Sequence, residues 1–507
     1  MTRLGRTVCA ALVGLEGHLV SVEAHVSPGL VHWVVVGLPD AGVLEARDRV
    51  RSALVASGWT PPQARLTVNL SPAGLPKSGT TFDLAVAVAV LAAMGEVPEG
   101  VARVGHVGEL GLDGSVRAAP GVLPAVLGLR RAGVRDVVVP AAAAGEAALV
   151  PGVRVHGVAT LREAALLHRG GLPARRAPEP VTAPSASQPD LRDVVGQPVG
   201  RRALEVCAAG GHHLFLLGPP GSGKTMLASR LPGILPDLDD EDALTATAVH
   251  SLAGTLPGPV LLRRPPFEDP HHTASVAAVV GGGSGLPRPG AASRAHAGVL
   301  FLDESPEFRK GVLDALRQPL EQGVVEVQRA RGSARLPARF QLVLAANPCP
   351  CGHAGSTVRD LRCTCTPQTR RGYLSRLSGP LLDRIDVQVD VPPVAVGRWA
   401  AAADGEGSDV VARRVRGARA AAVGRWGGAV RSNSQIPSPV LRSARYRPSR
   451  AVLAPLLAGV ERGSLTARGF DRLLRVAWTL TDLAGRDRPG EDEVAEALTL
   501  RTTAGAA

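Results

Sequence analysis

The chain has 507 residues, 45% of them hydrophobic and 20% charged, which is enough apolar material for several buried cores and excludes a disordered chain or a small disulfide-stapled module. Its 57 Lys and Arg exceed its 45 Asp and Glu by 12, and this positive charge favours a polyanionic partner, either nucleic acid or an anionic membrane surface. Six cysteines are too few for a disulfide framework, and the longest apolar stretch, Leu84 to Met94, is shorter than the roughly 18–20 residues that cross a bilayer. We therefore expect a cytoplasmic protein without a transmembrane helix.

Composition divides the chain into four segments. Residues 1–170 alternate short Val-rich strands with Ala- and Val-rich helical runs, which predicts a mixed α/β domain. Five prolines among Ala, Ser and Arg predict a linker at 171–190. Residues 191–391 carry glycine-rich loops and apolar strands that end in polar residues, which predicts an α/β core, and the helical periods of 392–507 predict a small helical domain. The main elements predicted in chain order are strands at 33–36, 65–69 and 137–139 with helices at 44–57, 82–94 and 161–168, then strands at 212–217, 299–302 and 340–346, and finally helices at 410–424, 451–461, 467–484 and 491–501.

A glycine-rich octapeptide lies between an apolar run and a helical pattern. It is Gly218-Pro219-Pro220-Gly221-Ser222-Gly223-Lys224-Thr225, which satisfies the P-loop pattern in its strand, loop and helix context. Glycines let successive backbone N–H groups face phosphates, Lys224 adds a positive charge at the β- and γ-phosphates, and Thr225 offers a hydroxyl to Mg²⁺. The segment predicts an ATP site, and the alternative is a glycine-rich turn with an unrelated lysine.

Two further strands end in polar residues. Val299 to Leu302 leads into Asp303, which would hold Mg²⁺, and Glu304, which would orient and polarise the attacking water. The next apolar strand ends at Asn347, whose amide could hold that water or contact the γ-phosphate. The alternatives are a solvated acidic turn and an asparagine that caps a turn.

Two arginines are candidates for neutralising charge in the transition state. Arg384 lies in the segment Leu381 to Asp386, and Arg468 opens the helix that is predicted to follow Ala467. Any one arginine in a chain with so many is more often a solvated or ion-paired surface residue.

Four cysteines crowd into a short segment after Asn347. Cys349, Cys351, Cys363 and Cys365 supply four thiolates, enough for a closed tetrahedral zinc site. The spacing within each pair is C-x-C and not the common C-x-x-C, and His353 could replace one ligand. The alternative is a set of reduced loop thiols. Cys9 and Cys207 are expected to be buried thiols.

Several motifs together resemble the YifB/ComM family of magnesium-chelatase-like AAA+ ATPases over nearly the whole chain. They are Val36-Gly37-Leu38-Pro39-Asp40, Pro270-His271-His272-Thr273, Gly281-Gly282-Gly283-Ser284, Asn347-Pro348-Cys349-Pro350-Cys351-Gly352 and Ser378-Gly379-Pro380-Leu381-Leu382-Asp383-Arg384-Ile385-Asp386. The resemblance implies the following roles: Lys224, Thr225, Asp303 and Glu304 as the two Walker motifs, Asn347 as sensor 1, Arg468 as sensor 2, and Arg384 as an arginine finger that acts on a neighbouring subunit. It therefore also implies a homo-oligomeric ring, a hexamer.

The resemblance also implies an activity on DNA. Members of the ComM type look like helicases that drive branch migration of recombination intermediates during uptake of foreign DNA. The alternative is a chelatase-type ATPase that remodels a protein partner and binds no DNA.

A β-hairpin around Gly332 is the predicted DNA-contacting element. Its strands alternate apolar and polar residues on both sides of that glycine, and it carries Arg329, Arg331 and Arg335. In a ring such hairpins face the channel, where arginine contacts phosphate, so we expect salt-sensitive binding that tolerates any base sequence. The alternative is an exposed hairpin with a solvated basic tip.

The first domain resembles the Lon-protease-like fold of this family through the segment Asn69 to Asp83. A Lon-type Ser/Lys dyad would need a serine near Thr81 and a lysine some forty residues later, and no lysine lies between Arg117 and Arg130. We therefore expect no proteolysis. Lys77 is expected to be a loop residue with a structural or DNA-facing role.

Overall fold

The computed structural model describes residues 3–170, 188–282, 288–329, 332–354, 362–394, 405–428 and 430–501. Its strands are β1 (Arg3–Val13), β2 (Glu16–Ser27), β3 (His32–Val36), β4 (Arg65–Ser71), β5 (Gly105–His106), β6 (Glu109–Leu110), β7 (Val116–Arg117), β8 (Asp136–Pro140), β9 (Arg154–Val158), β10 (Leu214–Leu217), β11 (Phe267–Glu268), β12 (Val299–Leu302), β13 (Val324–Arg329), β14 (Gly332–Pro337), β15 (Gln341–Ala346) and β16 (Val387–Asp390).

Helices surround these strands and form the C-terminal part of the chain. They are Ala41–Ala56, Asp83–Met94, Val122–Arg131, Ala144–Ala147, Leu161–His168, Pro198–Gly210, Lys224–Ala228, Leu231–Ile234, Asp240–Ala253, Val276–Val280, Ala291–Arg294, Lys310–Ala315, Arg317–Gln322, Pro367–Leu374, Gly379–Leu382, Ser408–Trp426, Ser438–Arg442, Arg450–Glu461, Ala467–Leu483 and Glu491–Thr499.

The N-terminal domain is built on a mixed seven-stranded sheet in the order β3-β4-β2-β1-β5-β8-β9. The helix Asp83–Met94 packs on this sheet and is buried along almost its whole length, because its Ala, Val and Leu side chains leave no polar face. The long hairpin of β1 and β2 brings Cys9 into the same core, so this cysteine is the expected buried thiol. The domain is mixed α/β, as its sequence predicts.

The central domain is built on a parallel five-stranded sheet in the order β11-β12-β15-β10-β16. Alternate residues of the strands enter two different cores: Leu214 and Leu216 face the helix Pro198–Gly210 and the C-terminal helices, and Phe215 and Leu217 face the opposite layer. Both faces are covered, which explains why the inner strands β10 and β12 are apolar throughout.

The parallel arrangement sorts the flanking loops to two edges of the sheet. The carboxyl ends of β10, β12 and β15 are followed by Gly218, Asp303 and Asn347, so these residues share one edge. The amino ends of β10 and β16 are preceded by His213 and Asp386, which lie at the opposite edge. Ligand chemistry in such folds gathers at the carboxyl edge.

The N-terminal domain docks on the central domain through polar contacts between helices. The Gly121 N–H donates to the Ser251 carbonyl at 3.1 Å, and the Ser251 hydroxyl donates to Glu146 at 2.6 Å. The turn between β1 and β2 also meets the hairpin of β13 and β14, since a Cβ on Gly14 would lie 2.7 Å from the Arg335 carbonyl oxygen. The two domains therefore fix each other's position.

A buried ionic cluster joins the sheet to the C-terminal helix Ala467–Leu483. Asp386 accepts a hydrogen bond from Arg472 at 2.6 Å, and the Nδ1 atom of His212 lies 3.4 Å from the same carboxylate. Burial by itself would raise the pKa of Asp386, but the hydrogen bond and charge of His212 and the charge of Arg472 hold that pKa well below its ordinary value. The carboxylate therefore stays ionised inside the protein.

We expect Asp386→Ala to lower the free energy of unfolding by about 3 kcal/mol at neutral pH, because the half-buried Arg472 loses its carboxylate partner and keeps, among the described residues, only the Arg384 carbonyl oxygen. The folded-state pKa of Asp386 is depressed, so its contribution is present above the ordinary pKa of 3.8 and is lost as the pH falls below it. Denaturant titrations of the wild type and of Asp386→Ala between pH 7 and pH 3 measure this difference in the free energy of unfolding. The exposed Asp409→Ala is the control, and equal losses in the two variants would contradict the account.

Candidate nucleotide-binding site

The glycine-rich loop 218–225 follows β10 at the carboxyl edge of the central sheet and leads into the helix Lys224–Ala228. Gly221 and Gly223 have φ angles of +73° and +92°, which favour glycine over any residue with a Cβ. A Cβ on Gly218 would lie 2.2 Å from the Val391 carbonyl oxygen, so this glycine is required by close packing. The loop is held in the strand, turn and helix arrangement that the sequence predicts.

Lys224 is 7% exposed and reaches back into its own loop. Its ammonium group donates to the carbonyl oxygens of Gly218 and Pro219 at 2.7 and 2.9 Å and to the Asn347 side-chain oxygen at 3.1 Å. Burial lowers the pKa of Lys224, while the negative charges of Asp303 and Glu304 act in the opposite direction. Lys224 and Asn347, which are 123 positions apart, therefore belong to one polar cluster.

Thr225 and Asp303 form an oxygen-rich pair at the entrance of the loop. The Thr225 hydroxyl donates to one Asp303 oxygen at 2.6 Å, and the other Asp303 oxygen accepts from the Glu304 N–H at 2.8 Å. A hydroxyl and a carboxylate are the hard ligands that Mg²⁺ selects. This donor set fits a magnesium ion that also carries phosphate oxygens and waters.

Glu304 is held by a histidine that the sequence reasoning gave no role. The Nδ1 atom of His272 lies 3.0 Å from the Glu304 carboxylate, and Glu304 has the left-handed φ angle of +48° that few non-glycine residues adopt. His272 follows β11, which is the neighbour of β12 in the sheet, so the two strand ends lie side by side. The signal in the sequence was the His271-His272 pair shortly after the short strand β11.

Arg384 and Arg468 lie at the amino edge, on the far side of the sheet from the phosphate loop of the same chain. They line a cavity of about 1170 Å³ together with Arg472 and Glu321. Burial, followed by the charges of Arg317, Arg468 and Arg472, lowers the pKa of Arg384. The structure therefore does not bring these two arginines to Lys224 of the same chain, and it places them in a separate cavity whose lining mixes arginines with acidic residues.

Arg384 has partners within its own chain. Its guanidinium donates to the Glu321 carboxylate and to the Pro380 carbonyl oxygen, and its Nε atom is buried without a hydrogen-bond partner among the described residues. The Nε–H donor of Arg384 therefore has no partner among the described residues of the single chain.

The hairpin with the predicted DNA-contacting arginines is formed by β13 and β14. Arg335 has 68% of its side chain exposed and pairs with Glu326 at 3.2 Å. The backbone of Arg329 ends β13, but its side chain, like the whole of Arg331, lies outside the described residues. Their contact with DNA stays a prediction.

The four clustered cysteines lie beside the nucleotide loop. Their sulfur atoms are all within 4.8 Å of one another, and His353 is not part of this group. Backbone hydrogen bonding, chiefly with His353, lowers the pKa of Cys351 to about 5. The thiols are close enough to share one ion.

The burial of Cys207 and Lys77 tests the expectations for these two residues. Cys207 is fully buried, and burial raises its pKa well above the ordinary value. Lys77 is also fully buried, and its ammonium group donates to the Pro72 carbonyl oxygen, so the DNA-facing role is wrong and the structural role remains. The sequence left both roles open, and the burial of Lys77 comes from tertiary packing of its loop in the N-terminal domain.

Comparison with known proteins agrees with this geometry. The family described as magnesium chelatase, subunit ChlI, matches residues 190–398, and the families described as subunit ChlI of Mg-chelatase and as its C-terminal part match 22–143 and 405–501. An uncharacterized protein of Mycobacterium tuberculosis is 52% identical over 505 residues, 99% of each chain. YifB of Escherichia coli is 41% identical over 495 residues, and the competence protein ComM of Haemophilus influenzae is 40% identical over 499, each covering 97% of this chain and 96% of the relative.

The chain belongs to the YifB/ComM family. It is an ATPase of the magnesium-chelatase-like AAA+ type, as the sequence predicts, and its fold class is confirmed: a Lon-protease-like N-terminal domain, an AAA+ core and a helical C-terminal domain. Membership also implies ATP and Mg²⁺ as cofactors. Among the residues that the structure describes, we find no helix that is both long and apolar enough to cross a membrane.

His272→Ala should remove the contact that fixes Glu304 in this YifB/ComM-type ATPase. We expect kcat for ATP hydrolysis to fall by up to about 10²-fold, because a displaced carboxylate no longer orients water, while the KM for ATP is unchanged. His25→Ala is the control, since His25 is an exposed histidine on β2 of the N-terminal domain, whereas the ring of His271 packs on that of His272. Steady-state kinetics decide, and equal kcat values for the wild type and His272→Ala would refute the positioning role.

Proposed function

We propose that this protein is an ATP-driven ring motor that acts on DNA, with branch migration of recombination intermediates during natural transformation as its task. The observation that carries the proposal is the division of one catalytic set between two edges of the sheet. Loop 218–225, Asp303 and Glu304 lie at one edge, and Arg384 lies at the other. A second copy is the simplest source of the missing arginine.

Each residue at the carboxyl edge has a proposed task in hydrolysis. The loop N–H groups and Lys224 hold the phosphates, and Thr225 and Asp303 hold Mg²⁺, which neutralises phosphate charge when bound. Glu304 orients and polarises the attacking water. Asn347 lies 3.1 Å from the Lys224 ammonium group, where an amide can contact the γ-phosphate as sensor 1.

The amino edge supplies the second half of the site to a neighbouring subunit. Arg384, as arginine finger, and Arg468, as sensor 2, line the same cavity, and the Arg384 Nε atom, which has no hydrogen-bond partner among the described residues, can donate to an incoming triphosphate. A contact of one edge with the opposite edge of the next copy is heterologous, and such contacts form a ring when the rotation between successive copies closes. We propose a hexamer.

DNA as the substrate is supported by charge and by the relative named a competence protein. The net charge of +12 suits a polyanion, and the exposed Arg335 belongs to a hairpin that a ring would direct to its channel. With only 3% aromatic residues, base stacking contributes little, so phosphate contacts dominate. A cytoplasmic location follows from this substrate.

A second candidate is a chelatase-type ATPase that remodels a protein partner without binding DNA. It is supported by the magnesium-chelatase families, which match all three parts of the chain. Both candidates use the same ATPase core and differ only in what the ring engages.

ATP hydrolysis measured with single-stranded and branched DNA tests the proposal. We expect DNA to stimulate hydrolysis. The apparent affinity for DNA should fall by roughly 10³-fold or more between 50 and 200 mM salt, because several phosphate contacts release counterions. Glu304→Gln should lose about 10²–10⁴-fold in kcat, the usual contribution of a general base, and still bind DNA. Hydrolysis that no DNA changes at any salt concentration would contradict the DNA motor and favour the protein-remodelling ATPase.

A further inference from the structure

The cysteine cluster has the geometry of a metal site. The sulfur of Cys349 lies 3.3 Å from that of Cys351 and 3.6 Å from that of Cys363, and Cys351 and Cys363 are also 3.6 Å apart. A tetrahedron of sulfurs around zinc, with Zn–S bonds of about 2.3 Å, has edges of about 3.8 Å. Cys365 completes the set, since all four sulfurs lie within 4.8 Å of one another.

The surroundings of the cluster distinguish it from loose thiols or disulfides. All the measured sulfur separations are far longer than the roughly 2.05 Å of a disulfide bond. Cys349 is fully buried, and its sulfur accepts a backbone hydrogen bond from Ala354 at 3.3 Å. Such outer hydrogen bonds orient metal-binding side chains.

The segment that carries the cysteines contacts the phosphate loop. Gly352 lies between two of the cysteine positions and has a φ angle of +80°. A Cβ at this position would lie 2.5 Å from both Cγ and Cδ of Pro220, which is the third residue of the loop. The Gly352 N–H donates to the Cys349 carbonyl oxygen at 2.9 Å, so the turn that touches Pro220 is closed by a cysteine of the cluster.

A second connection reaches the nucleotide site from the start of the segment. Asn347, which accepts from the Lys224 ammonium group at 3.1 Å, is separated from Cys349 by one residue, Pro348. Proline restricts the backbone on both sides. The position of Cys349 therefore limits where the Asn347 amide can lie.

We propose that Cys349, Cys351, Cys363 and Cys365 bind one structural zinc ion and that this ion fixes both the phosphate loop and Asn347. The zinc closes the segment on itself, holds Gly352 on Pro220 and anchors Asn347 beside Lys224. The coupling depends on the proposed ATP site and is independent of DNA. Loss of the metal weakens nucleotide binding without changing any residue that contacts the nucleotide.

Metal analysis of the full-length protein, purified without added metal, tests the first half of the proposal. We expect one zinc per chain in the wild type and loss of zinc in Cys363→Ser and Cys365→Ser. His353→Ala is the matched control within the same loop and should keep its zinc. Iron in place of zinc, wild-type protein without metal, or disulfides found by thiol titration would each overturn the assignment.

Binding of a fluorescent ATP analogue to the same proteins tests the coupling. We expect the zinc-free cysteine variants to bind the analogue more weakly than the wild type and to lose about 10²-fold in kcat/KM, the scale of a 1 Å misplacement. Gly352→Ala keeps all four thiols, so it should retain zinc and still bind the analogue more weakly. Unchanged affinity in both kinds of variant would overturn the coupling.

Two further results separate this inference from the proposed function. Thermal melting of each variant shows whether it is folded, and Gly352→Ala provides the test of coupling if the cysteine variants are not. A wild type that contains zinc but binds no nucleotide would leave the metal site standing and overturn both the coupling and the ATP-driven function.

Discussion

The parallel direction of the five central strands is the constraint on which the rest of this structure depends. Every strand ends at the same edge, so the loop at 218–225, Asp303 and Asn347 meet there although they come from distant parts of the sequence. Every strand also begins at the opposite edge, where the segment before β16 places Arg384. We propose that one chain therefore exposes two complementary halves of a catalytic site on two different surfaces.

The buried charges explain why the amino edge keeps its shape. Arg472 binds Asp386 and also donates to the Arg384 carbonyl oxygen at 2.9 Å, so the C-terminal helix that carries Arg468 is tied to the segment that carries Arg384. Several arginines meet in the same cavity, and acidic residues such as Glu321 and Asp386 pair with some of them. The Nε atom of Arg384 has no hydrogen-bond partner among the described residues, which is why we propose that this cavity meets a neighbour's phosphates.

Local patterns in the sequence predicted much of the fold and the main nucleotide-binding residues. The octapeptide at the phosphate loop and the acidic end of β12 are short, contiguous signals, and each depends only on a strand followed by a specific turn. The fold class followed from alternating strands and helices in the same way. The ends of many predicted elements lay within a few residues of those in the structure; the helix predicted at 410–424, for example, spans Ser408–Trp426.

Contacts between distant segments could not be predicted from the sequence. His272 and Glu304 are brought together by the pairing of β11 with β12, and Gly352 reaches Pro220 because β15 pairs with β10. The hydrogen bond of Lys77 to Pro72 is close in sequence, but its burial depends on the packing of the surrounding domain. Such features are set by tertiary packing, which composition and periodicity do not record.

The most direct test of the divided site is a mixture of two inactive chains. Lys224→Ala removes the phosphate-binding ammonium group and Arg384→Ala removes the finger, so neither chain alone should hydrolyse ATP. When equal amounts of the two chains assemble at random, about one interface in four has both halves intact. We therefore expect the mixture to recover about a quarter of the wild-type ATPase activity. A mixture that is no more active than its separate components would contradict a site shared between copies.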